Sequence, residues 1–157
     1  MRKADRQKDS RWASIVFDKA PFVTVSMIRP NGTPYGVPLS LARKDERTFY
    51  FHCAGEGEKL DCLRTNPLVS LSAVSKCTPR FEEDTRNFTE HYHSAIAVGR
   101  VEFVTDKVEK IEALRLVCMR FLPKYMDNFE AAITRSLDRT TVCKITLTEP
   151  PVGKCKE

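Results

Sequence analysis

Phe49-Tyr50-Phe51-His52-Cys53-Ala54-Gly55-Glu56-Gly57-Glu58-Lys59 changes character twice within one short stretch. Its aromatic first half reads as a β-strand, its two glycines open the chain into a turn, and Lys59 begins a helix that carries Leu60 and Leu63. Asn66-Pro67 closes that helix. A helix start presents N–H groups without intrahelical acceptors, and the positive end of its dipole favours an anion, phosphate above all. Lys59 adds a full charge there. Glu56 and Glu58 oppose it, so their carboxylates have to point away from any bound anion. On spacing alone Gly-x-Gly-x-Lys also describes an ordinary glycine-rich turn before a helix, and the motif by itself leaves both readings open.

Upstream, Asp9 or Ser10 caps a helix through Trp12, Ile15, Val16 and Lys19 that Pro21 stops. The period then falls to two. Phe22, Val23, Val25 and Met27 form a strand, Asn31-Gly32 supplies the tight hairpin turn, and Tyr35 to Leu41 returns as the second strand. Pro38 lies inside that second strand and has no N–H to donate, which places it at an edge, at a bulge or against a ligand. A charged turn over residues 43–47 precedes the deciding strand. Downstream, residues 68–75 alternate as a strand, residues 76–90 read as a polar stretch, and residues 93–104 form another strand. Asp106 with Glu109 opens a helix that runs to Phe121, residues 126–137 form a shorter helix, and residues 141–147 form a closing strand. Hairpins followed by helices and a late strand make an α+β fold, an antiparallel barrel with helices packed outside.

The 157 residues suit one domain, with residues 1–8 and 152–157 expected as flexible tails. No apolar run approaches the ~20 residues of a membrane span, and the charged first residues do not read as a signal peptide, so a cytoplasmic location is expected, with no membrane partner. The six cysteines contain no C-x-x-C pair and are expected as free thiols in a reducing compartment. A net charge of +5 without a purely basic run calls for a small anionic ligand rather than nucleic acid. His91 and His93 form H-x-H on one strand face, but no third ligand lies nearby in the sequence, so no metal is expected. Trp12 reads as a core residue.

Several stretches together resemble the FMN-binding split β-barrels of the pyridoxamine 5'-phosphate oxidase-like superfamily, and among them the nitroimidazole-resistance (Nim-type) reductases. They are Tyr50 to Ala54 with Gly57-x-Lys59 and Asn66-Pro67, then Pro34-Tyr35-Gly36-Val37-Pro38-Leu39-Ser40, then Tyr92 to Val101, together with the two termini. The match runs along nearly the whole chain. The resemblance implies an antiparallel split β-barrel that binds FMN. In it Lys59 pairs with the phosphate, helped by N–H groups around Gly57 and by Cys53 and Ala54. Val37, Pro38, Leu39 and Ser40 line the flavin ring, and Ser94 and Ala95 approach the phosphate or ribityl side. His52, the one catalytic candidate, faces substrate or cofactor.

The resemblance further implies a homodimer with FMN at the interface and an oxidoreductase that passes electrons to a small-molecule acceptor, nitroaromatic compounds being the Nim-type class. Activity on pyridoxamine phosphate itself is not expected, because residues 150–154 lack the arginine and tryptophan of the tail that holds pyridoxal phosphate in that enzyme. The rival expectation is a non-catalytic module that stores or senses flavin, or ligates haem through His52 or His93.

Overall fold

A computed structural model describes residues 3–157, so only the first two residues of the expected N-terminal tail lie outside it. Asp9 accepts a hydrogen bond from the Trp12 N–H at 2.8 Å and starts α1 (Ser10–Lys19), which ends before Pro21. The first hairpin joins β2 (Val23–Ile28) to β3 (Pro34–Leu39) through a turn in which Gly32 holds φ +84° and Asn31 Oδ1 accepts from the Thr33 N–H. β3 is an edge strand, which is where a mid-strand proline is tolerated. The second strand of that hairpin ends at Leu39, and a separate short β4 (Ala42–Arg43) pairs with β5 (Thr48–Ala54). After β5 come α2 (Glu58–Thr65), β6 (Leu68–Glu82) and β7 (Asn87–Phe103). Then follow α3 (Lys107–Phe121), capped by the Asp106 carboxylate, α4 (Phe129–Ser136) and β8 (Thr140–Leu147).

Two expectations from the sequence are corrected. Residues 76–90 are not a polar connection: β6 and β7 pair from Leu68↔Arg100 to Glu82↔Asn87, with a register shift between Val74 and Lys76. The outer part of this hairpin stands clear of the core, so it carries no apolar alternation to read, and Phe88 at its tip is 90% exposed. Among the described residues, the chain ends are not free tails either. β9 (Val152–Lys156) pairs with both β7 and β1 (Gln7–Lys8), joining the last described strand to the first. Backbone pairing holds it, so its sequence needs no hydrophobic signature. Gly153 is required by packing there, because a Cβ would overlap the Trp12 indole.

Among the described residues, nine strands make one antiparallel sheet in the order β3-β2-β6-β7-β8-β5-β4, curled into a barrel that is not closed. Its interior is apolar. Phe49 and Phe51 of β5 pack there with Val23, Val25, Leu71 and Ile145, under the buried face of α1. A second core lies outside the sheet, where α3 and α4 cover Ala42, Tyr50 and Val142. Tyr50 fixes that layer by donating its hydroxyl to Glu109 of α3 at 2.7 Å, and burial together with this bond pushes its pKa up.

Arg120 stitches the layers together. From the last turn of α3 its guanidinium donates to the carbonyls of Phe17, Asp18 and Ala20 at the end of α1, and to that of Leu41 before β4. A basic residue in a last helical turn usually complements its own helix dipole, whereas this one satisfies the C-terminal carbonyls of another helix.

The outer face of β3, β2, β6 and β7 is not covered by any described element. Cross-strand rows run Pro38–Thr24–Ser72–Ile96 and Gly36–Ser26–Ser70–Val98, flanked by exposed Ile28, Leu68 and Val74. No described helix is long and apolar enough to cross a membrane.

Candidate functional site

β5 delivers His52, Cys53 and Ala54 to one end of the sheet, and strand alternation sends His52 and Cys53 to opposite faces. His52 shares its face with Tyr50 but lies beyond the helical cover and is exposed. Protein mass around the ring, and then the Lys59 charge, lower its pKa, so the imidazole is neutral at pH 7. Cys53 faces the barrel interior beside Cys143, whose strand pairs Phe51↔Cys143 and Cys53↔Thr141. The neighbouring Cys143 thiol lowers the Cys53 pKa, burial works the other way, and Lys59 lowers it further. The buried Cys143 thiol is pushed up correspondingly. All six cysteines are free.

Gly57 is the N-cap of α2 at φ +132°, ψ 160°, a conformation open essentially to glycine alone. Its carbonyl accepts from Leu60 and Asp61, which leaves the N–H groups of Glu58 and Lys59 without intrahelical acceptors. The Lys59 ammonium lies 5.6 Å from the Phe51 ring centroid and makes no ion pair among the described residues. Glu58 turns away, as the chemistry requires. Its carboxylate meets Arg29 of the β2–β3 hairpin at 2.5 Å, while Arg29 also donates to the Pro34 carbonyl and lies over the Tyr35 ring. Arg29 carried no sequence signal for this role, because the contact spans the chain from hairpin to helix. A lysine with no ion pair among the described residues, a glycine-only cap and open N–H groups fit a phosphate.

Val37 and Leu39 turn inward and pack on the core, whereas Pro38 and Ser40 are exposed on the open side of β3. Ser94 sits opposite Val74 and Lys154, and the Ala95 side chain is buried, so only its backbone is available to a ligand. The expected residues thus form two groups. Gly57, Lys59, His52 and Cys53 gather near the Arg29 end of β2. Ser94 lies beyond the row of Thr24 and Ser72, at the other end of that strand, a separation of roughly 20 Å by strand rise.

A cavity of about 280 Å³ opens on the sheet face between Ser26, Ile28, Pro34, Asn66, Leu68 and Val98. A larger cleft of about 690 Å³ lies elsewhere, between α1 and the β4–β5 turn, and contains none of the expected residues. Two of its three arginines are already engaged, Arg43 with Asp18 and Arg47 with the Leu147 carbonyl. It does not compete for the site.

The open antiparallel sheet with helices on its outer side defines the chain as a split-barrel protein. Residues 8–152 match the family model described as pyridoxamine 5'-phosphate oxidase, and the chain belongs to that family. Its fold is similar to that of a putative 5-nitroimidazole antibiotic resistance protein from Bacteroides thetaiotaomicron, with 21% identity and a TM-score of 0.77 over 94% of this chain and 87% of that one. The flavocytochrome Anf3 from Azotobacter vinelandii superposes with a TM-score of 0.84 at 19% identity, over all of this chain and 72% of its own. An FAD and haem binding protein from Mycobacterium smegmatis gives 0.81 at 19% identity, over 97% and 74%. No curated protein matches the chain.

Proposed function

We propose that the protein is an FMN-dependent oxidoreductase of the Nim type that passes electrons to small nitroaromatic acceptors. One observation carries the flavin assignment: a lysine without an ion pair among the described residues, in the first turn of a helix whose glycine cap leaves N–H groups open. Lys59 and those N–H groups hold the phosphate. Pro38 and Ser40 present an edge-strand surface on which a flat ring can lie, Pro38 offering no competing N–H. A bound flavin supplies hydride or electron transfer, and the chain's own groups bind, orient and exclude water. His52, neutral and exposed beside Lys59, can donate or accept one hydrogen bond at the reacting end.

The uncovered face of β3, β2, β6 and β7 supports a homodimer, since exposed Ile28, Leu68, Val74 and Ile96 flank its small central residues. In that arrangement Ser94 serves the flavin whose phosphate the partner holds, which reconciles the two separated groups of site residues. A flavin-loaded monomer in sedimentation would remove the dimer. The absorbance of purified protein tests the cofactor, because flavin shows two visible bands. An intense Soret band instead would favour the haem-binding module, for which the flavocytochrome-like fold is the supporting observation.

His52→Ala is expected to keep the fold, with stability within about 0.5 kcal/mol, and to keep most FMN affinity. Turnover per flavin falls roughly tenfold or more, the scale of a lost general acid or hydrogen-bond donor. Thermal melting and turnover measured on the same variant decide it. A destabilised protein with wild-type turnover retires His52 from the site.

A further inference from the structure

The C-terminal strand β9, paired with β7, assembles a second cluster away from Lys59. His93 of β7 stands directly opposite Cys155 of β9, and Glu157 just beyond that strand reaches back so that its Oε1 lies 2.8 Å from His93 Nε2. One donor atom from each of His93, Cys155 and Glu157 falls within 4.8 Å of the other two. We infer that these three side chains form a binding site for a divalent transition metal, Zn²⁺ first, with solvent in the fourth position.

The donor chemistry argues for the metal class. Imidazole, thiolate and carboxylate together are a borderline set that suits Zn²⁺ and disfavours Ca²⁺ or Mg²⁺, which take oxygen ligands. Tetrahedral zinc with ordinary bond lengths puts its ligand atoms about 3.3–3.6 Å apart, so side-chain rotation of about 1 Å closes the set around an ion. Part of the set is already held in place. The Trp12 ring meets the His93 ring edge-on at 5.2 Å between centroids, and Gly153 lets the indole sit against β9, so the imidazole is buttressed before any ion arrives. The H-x-H spacing of His91 and His93 does not make the site, because His91 faces Glu82 at 3.7 Å instead. The ligands beyond His93 come from the far end of the chain.

Two charges oppose the ion. Lys76 lies 3.8 Å from Glu157, and Lys8 stands on β1, the strand beside β9, opposite Gly153. Metal binding displaces Lys76 from that carboxylate, so removing its charge tightens the site. No such effect is expected if the cluster is only a surface ion pair.

Titration of the reduced protein with Co²⁺, followed by Zn²⁺ competition, tests this. A thiolate-to-cobalt band in the near ultraviolet, with visible bands of tetrahedral intensity, is the expected result, and Zn²⁺ abolishes both. Cys155→Ser removes the thiolate band and His93→Gln weakens binding roughly tenfold or more, while Lys76→Met tightens it severalfold. A thiolate band that survives Cys155→Ser, or no band at all, overturns the site. Should Cys155→Ser lower the melting temperature of the metal-free protein, Lys76→Met keeps the test, because it leaves all three ligands in place. Unchanged affinity in that variant also overturns the assignment.

Discussion

Lys59→Ala is expected to weaken FMN binding by about 1–3 kcal/mol, roughly 5- to 150-fold in Kd, the range for losing a charge-assisted hydrogen bond to phosphate. The same substitution should leave the flavin-free protein folded and no less stable. A cation in the first turn of a helix opposes the dipole, and the Lys59 side chain has no ion pair among the described residues to offset it, so alanine relieves a few tenths of a kcal/mol. This pair of opposite effects separates a binding residue from a structural one. Flavin titration read beside the melting curve of the apoprotein measures both. Unchanged affinity means that Lys59 does not hold the phosphate, and a lower apoprotein melting temperature means that its packing on Phe51 matters more than its charge.

The second large effect lies far from the flavin. Arg120→Ala removes one guanidinium that serves four carbonyls on two other segments, and leaves those acceptors partly shielded from water. Hydrogen bonds from a charged donor are worth about 1.5–3 kcal/mol, and water can reach some of the freed carbonyls, so a loss of about 2–3 kcal/mol is expected. For a chain of this size that is a fall of roughly 4–12 °C in melting temperature. Burial lowers the Arg120 pKa, yet the guanidinium stays charged across the accessible range. Arg120→Lys should recover only part of the loss, since a single ammonium cannot span the same acceptors. A variant that melts like the wild type would show that the layers hold without this link.

Local signals in the sequence were legible wherever the structure uses local chemistry. Asp9 and Asp106 cap their helices, Asn31-Gly32 makes its turn, and Gly57 starts α2 in a backbone conformation open essentially to glycine alone. Alternation along β5 correctly separates His52 from the core-facing Phe49 and Phe51. What escaped is non-local. The outer β6–β7 hairpin is solvated on both sides, so no hydrophobic period marks it, and Arg86 at its turn takes positive φ without being glycine. β9 is recruited by backbone pairing, the Arg29–Glu58 pair bridges hairpin and helix, and His93 finds its neighbours only when β9 returns to β7. None of these partners can be read from spacing, because each depends on which strands the sheet places side by side.

The pairing of β9 with β1 and β7 also governs when the molecule can take shape during synthesis. β1 has no strand partner until Val152–Lys156 has cleared the ribosome, and the long β6–β7 ribbon must wait with one edge bare. Such distant pairings carry a large loop-closure cost and are slow to form. The nascent chain therefore cannot finish its sheet piecemeal, and that bare edge stays open to pairing with other chains while translation proceeds.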